Sequence, residues 1–67
     1  MRRFIIYLIR KKLGLKKFET FRFAEQKGDA VYYFTESNVM KRTSGKTYLS
    51  GVSVNWLLDD ECKIERV

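Results

Sequence analysis

The 67 residues contain one cysteine, Cys62, and no histidine, which bounds the fold more tightly than any other feature. No disulfide can form within the chain, and the Cys/His ligand sets of zinc sites are missing. The fold must therefore stand on its hydrophobic core. A domain of this size buries only about 60% of the surface its unfolded chain exposes, so an enclosed active-site cavity is not expected. Without histidine, Cys–His and Ser–His nucleophilic pairs are excluded as well. These constraints point to one small non-enzymatic domain, 1–67, with no catalytic residue, metal or cofactor, that works through its surface. Cys62 itself reads as a half-buried thiol in a strand, in a reducing cytoplasmic compartment.

The second constraint is the placement of charge. The opening stretch MRRFIIYLIRKKLGLKK carries Arg2, Arg3, Arg10, Lys11, Lys12, Lys16 and Lys17 and no acid. From Phe18 onward seven basic and eight acidic residues give −1, so residues 1–17 hold the entire excess of the formal +6. A basic segment on a near-neutral body (18–67) makes a dipole that orients in the field of a polyanion. The plainer reading is that the charges keep an apolar end in solution. The apolar run Phe4–Ile9 is far short of the roughly 20 residues of a membrane span. Arg10-Lys11-Lys12 follows it where a signal peptide would have a small-residue cleavage site. An interfacial role on anionic lipid is weakened by a polar face poorly separated from the apolar one.

Residues 2–13 have the ending of a helix. Three basic side chains suit the negative pole of the dipole, and Gly14 stands where a left-handed residue closes a helix. Phe-Ile-Ile-Tyr, rich in strand formers, keeps a strand reading open. On either reading Phe4–Ile9 is expected to be largely buried. Period-two patterning then predicts a hairpin: Phe18–Ala24, turn residues Gln26-Lys27-Gly28-Asp29, and Ala30–Thr35. Residues 36–47 are the least structured by composition, either a long hairpin tip or a brief strand and return. Tyr48–Val54 reads as a third strand interrupted at Gly51. For the end of the chain two readings stand: Asn55 capping one helical turn before a strand Cys62–Val67, or a hairpin of Val52–Leu57 with Cys62–Val67 across an acidic turn. The fold class expected is α+β, an N-terminal helix packed on a three- to four-stranded antiparallel sheet.

Few motifs carry chemistry. Ser44-Gly45-Lys46-Thr47 has the form of a phosphate-loop tail, but the required earlier glycine is Met40, so an exposed turn is expected, with Lys41, Arg42 and Lys46 as a second basic cluster. Asp59-Asp60-Glu61 has oxygen ligands for a hard cation but no calcium-loop spacing, and reads as a solvated turn. At least four of the many aromatics are expected in the core. Tyr33, with Arg22 or Lys41 nearby, is the one candidate for stacking on a base.

The segments KFETFRF, VYYFTES and VSVNWLLDDECKIERV, above all Asn55-Trp56-Leu57-Leu58 and Cys62-Lys63-Ile64, resemble small phage and prophage accessory proteins of low-GC Gram-positive bacteria, a group with no assigned activity. The resemblance implies a product made in a bacterial host cytoplasm that acts on nucleic-acid machinery, and it transfers no site residues. The function expected is binding of nucleic acid or a nucleoprotein through Arg2, Arg3, Arg10, Lys11, Lys12, Lys16 and Lys17, assisted by Lys41, Arg42 and Lys46. The alternative is a protein-binding modulator of a bacterial host enzyme or defence complex.

Overall fold

The computed structural model describes residues 2–67, with Arg2 described by its backbone. The order of elements is α1 (Arg2–Lys12), β1 (Phe21–Phe23), β2 (Val31–Phe34), β3 (Val39–Thr43), β4 (Lys46–Leu49), α2 (Val54–Leu58) and β5 (Ile64–Arg66). The strands form one antiparallel sheet in the order β4-β3-β2-β1-β5. The α+β class with an N-terminal helix is as expected from the sequence; the sheet has five strands rather than three or four.

Two stretches supply the additional pairing. The composition of residues 36–47 suggested little structure, yet they hold β3 and the start of β4, joined by Ser44 and Gly45 at φ 53° and 75°. Positive φ at both central residues of a two-residue hairpin loop matches the right-handed twist of the flanking strands. The chain end returns to pair β5 with β1, Phe23 opposite Ile64 and Phe21 opposite Arg66.

Helix α1 stops as its sequence predicts. Leu15 N–H bonds the Arg10 carbonyl at 3.1 Å and Gly14 N–H bonds that of Lys11 at 3.1 Å, with Gly14 at φ 71°. These two bonds form a Schellman closure, which satisfies carbonyls that the helix itself leaves open. It also turns Leu15 into the core, where it is buried.

The core joins Ile6 and Ile9 of α1 to Leu15, Phe21, Phe34, Val39, Leu57 and Cys62, with Leu13, Phe23 and Tyr32 packed against it. Phe21 lies 5.6 Å from Phe34 and 5.9 Å from Tyr32, centroid to centroid. Four aromatics thus belong to the core, as composition suggested. The expectation that Phe4–Ile9 is largely buried does not hold. Ile6 and Ile9 are buried, whereas Phe4 is 62% exposed, Leu8 47%, and Ile5 and Tyr7 are exposed too. The reason is periodicity: at 3.6 residues per turn Ile6, Ile9 and Leu13 form one stripe toward the sheet, and among the described residues no further layer covers the other side.

Three further corrections concern the C-terminal half. The strand expected over Tyr48–Val54 ends at Leu49, and the chain leaves the sheet through Ser50 and Gly51, the latter at φ 70°. Of the two readings of residues 55–60 the helical turn is present, but Ser53 caps it in place of Asn55. Ser53 Oγ accepts from Asn55 N–H at 3.1 Å. Serine at such a position satisfies an amide that the first helical turn leaves without a partner. Cys62 is buried but precedes β5 by two residues, outside any strand.

Gln26 closes the β1–β2 loop. Its Oε1 accepts from Phe23 N–H at 2.8 Å and its Nε2 donates to the Ala30 carbonyl at 2.7 Å. Arg22 Nη2 donates to the carbonyls of Gln26 and Gly28 at 3.3 and 3.2 Å, which fastens that guanidinium to the loop. No helix among the described residues is long and apolar enough to cross a membrane.

Candidate nucleic-acid interface

Arg3, Tyr7 and Arg10 are spaced four and three residues apart, so α1 carries them on one flank. Lys17, Thr35 and Glu36 face them from the segment after α1 and from the β2–β3 turn, enclosing an open groove of about 320 Å³. Arg10 Nη1 donates to the Leu15 carbonyl at 2.9 Å, and its guanidinium carbon stands 5.6 Å from the centre of the Tyr7 ring. Lys11 Nζ is 5.8 Å from the same centre. Four cations, Arg3, Arg10, Lys11 and Lys17, therefore gather around Tyr7. Glu36 is the acid among them: its carboxylate lies 3.6 Å from Arg3 Nη2 and 3.2 Å from Lys17 Nζ.

The remaining basic residues are placed elsewhere. Lys12 Nζ donates to the Leu58 carbonyl at 2.6 Å, which ties it to the end of α2 beside the acidic turn. Lys16 is exposed, its backbone N–H bonded to Glu19 Oε1 at 2.8 Å. The Arg2 side chain lies outside the described residues. Lys41, Arg42 and Lys46 sit on the β3–β4 hairpin, whose tip is at the end of β3 opposite the Glu36 turn. The four residue steps of β3 separate its two ends by about 13 Å. Asp59, Asp60 and Glu61 are exposed, and Asp59 Oδ1 accepts from Glu61 N–H at 2.8 Å. Among the described residues the cations of the opening segment form ion pairs with Glu36, not with that acidic turn.

The sheet has a second depression, about 280 Å³, lined by Phe18, Thr20, Tyr33 and Arg42. Strand alternation explains its membership. Tyr32 packs on Phe21 and Phe23 under α1, so its neighbour Tyr33 takes the opposite face of β2. Lys41 pairs with Tyr32 and shares the helix-side face, while Arg42 pairs with Val31 and shares Tyr33's face. Arg42 is thus the cation beside Tyr33. The expected partners Arg22 and Lys41 are respectively fastened to the β1–β2 loop and on the other side of the sheet. Phe18 joins Tyr33 at 6.3 Å between ring centres, tilted by 44°.

Cys62 is no part of either depression. Burial pushes its thiol above the ordinary value of 9.0; Lys12 opposes that rise and Asp59 adds to it.

Sequence reasoning did not single out Tyr7, Phe18 or Glu36. Tyr7 had a signal in its helical spacing between Arg3 and Arg10. Glu36 had none, because its partners Lys17 and Arg3 lie 19 and 33 residues away in sequence. Comparison with known proteins adds nothing to this geometry: the chain matches no family model, no curated protein and no solved structure.

Proposed function

We propose that the chain is a non-enzymatic binding protein that holds nucleic acid, free or within a nucleoprotein complex, along the Tyr7 flank of α1. The observation that carries this reading is the gathering of Arg3, Arg10, Lys11 and Lys17 around one aromatic ring with Glu36 as the opposing acid. Such a group contacts phosphates without reading sequence, releases counterions, and supplies an affinity that falls steeply with salt. The resemblance to phage accessory proteins agrees with a role on nucleic-acid machinery in a bacterial cytoplasm. Labelled duplex and single-stranded DNA titrated at two salt concentrations test the proposal. Each of Arg10→Ala, Lys11→Ala and Lys17→Ala is expected to lower the salt slope by about one unit. An affinity that is weak at low salt and unchanged by these substitutions would overturn it.

A second reading, a modulator of a host enzyme or defence complex, is favoured by the outward apolar residues Phe4, Ile5 and Leu8. A large exposed apolar patch ordinarily marks a protein contact. A host protein that is recovered by pull-down after nuclease treatment, and lost with Leu8→Asp, supports this reading over the first.

A further inference from the structure

We infer that the nucleic acid held by this protein is single-stranded, and that one of its bases stacks in the wedge between Phe18 and Tyr33; the inference rests on the nucleic-acid reading above.

The first ground is the backbone of Phe18. Its φ is 67°, in the left-handed region, at a turn closed by the Glu19 N–H bond to the Lys16 carbonyl at 3.1 Å. Glycine or asparagine is the ordinary occupant of such a position, since a side chain there crowds the following carbonyl. The chain places a phenylalanine there, and 61% of it remains exposed. The Phe18 N–H bonds the Phe34 carbonyl at 2.9 Å, which fixes the backbone of the turn, but neither that bond nor burial calls for a phenylalanine, whose ring gains little cover. Strain combined with an exposed aromatic is the signature of a residue kept for a ligand.

The second ground is geometric. The rings of Phe18 and Tyr33 are tilted by 44° at 6.3 Å, which leaves a wedge between them instead of a closed stack. Arg42 and Thr20 line the same depression, a cation and a hydroxyl at the edge of an aromatic floor. That floor lies on the sheet face turned away from α1. Aromatics on an open sheet face beside a cation hold unstacked bases by their π-faces, whichever base is presented. A duplex hides those faces.

The third ground is continuity. Lys17, which lines the Tyr7 groove, is covalently next to Phe18, which lines the wedge. A strand whose phosphates follow Arg3, Arg10 and Lys17 reaches Phe18 and Tyr33 by rounding the end of β2. The charge groove lies on the α1 side and the wedge on the opposite face; they meet at Lys17 and Phe18, beside the end of β2, where Phe18 N–H bonds the Phe34 carbonyl at 2.9 Å.

The test uses a single strand of about ten nucleotides, within the span that one small domain covers. It carries a fluorescent purine, and a duplex of equal length serves for comparison. Phe18→Gly removes the ring and relieves the positive φ, so it is expected to fold at least as well as the parent; Tyr33→Leu keeps an apolar residue on the strand. Each is expected to weaken single-strand binding about 5- to 100-fold, abolish quenching of the purine, and leave the salt slope and duplex affinity unchanged. Parental single-strand affinity and quenching in both variants, with the salt slope intact, would overturn the inference and leave the nucleic-acid reading standing. If neither strand form binds the parent at low salt, both fall together.

Discussion

Lys17 donates from Nζ to Oε1 of Glu36 across 3.2 Å, joining the segment that follows α1 to the turn between β2 and β3. The other carboxylate oxygen is 3.6 Å from Arg3. Glu36 therefore neutralises Arg3 and Lys17, and under the proposed function a phosphate would compete with it for them. Replacing it with glutamine leaves the shape and frees two cations. Glu36→Gln is expected to raise affinity for single-stranded DNA several-fold at low salt. Exposed ion pairs contribute at most about 1 kcal/mol, so its denaturation midpoint should stay close to that of the parent. Weaker binding by this variant would mean that Glu36 is part of the recognition surface.

Adjacent residues of α1 should respond oppositely to truncation. Ile9 is fully buried against the sheet, and Ile9→Ala is expected to cost about 2–5 kcal/mol, a large share of the stability available to so small a domain. Leu8 faces outward, and Leu8→Ala should change stability by less than about 0.5 kcal/mol. Urea unfolding followed by the fluorescence of Trp56 measures both. Equal losses in the two variants would place Leu8 in a core it does not share here.

Gln26 is expected to behave as a structural residue although it sits in a loop. Its amide both accepts from Phe23 and donates to Ala30. Gln26→Ala leaves both backbone groups without that partner, at a cost of about 1–3 kcal/mol. Gln26→Glu keeps the acceptor and loses the donor, so its loss should fall between those of the parent and the alanine variant. Amide exchange at Phe23 reports the same bond directly.

Burial of Cys62 implies a slow thiol and a particular dependence on alkali. Its pKa in the fold is raised above the ordinary 9.0, chiefly by burial. The unfolded chain ionises first as pH increases, so this contribution is complete below the unfolded value and is lost as pH rises through the folded one. Stability is expected to decline above about pH 9 more steeply in the parent than in Cys62→Ala. Thiol reagents at neutral pH should label Cys62 more slowly than they label the unfolded chain.

What the sequence disclosed follows the range of the interactions involved. The end of α1 was legible, because Arg10, Lys11, Lys12 and Gly14 act within a single turn. So was the β1–β2 hairpin, whose turn residues 26–29 lie between two aromatic runs, although the strand expected from Phe18 begins at Phe21 and Phe18 itself stands in a turn at φ 67°. The burial pattern of α1 was not, because the wheel of Phe4–Ile9 is apolar nearly all round, and only the presence of a single sheet decides which stripe is covered. The departure of the chain at Ser50 was hidden for a similar reason: Val52 and Val54 continue the period-two pattern but pack against the core from outside the sheet. At the candidate site, the cations were legible as a segment and not as a group. Lys12 is turned from Arg10 by the helical phase, and its side chain bonds Leu58 at the end of α2, 46 residues further along.

The outward side of α1 governs how the molecule behaves in a crowded solution. Phe4, Ile5 and Leu8 are exposed on a helix rich in basic residues, so any attraction between the apolar sides of two copies would be opposed by repulsion among their ammonium and guanidinium groups. Electrolyte screens that repulsion within about 10 Å at 0.1 M. Light scattering should accordingly register growing particles as sodium chloride is added, and Leu8→Asp should suppress the growth. Handling the protein in strong brine to strip it of bound polyanions would thus exchange one contaminant for clumping.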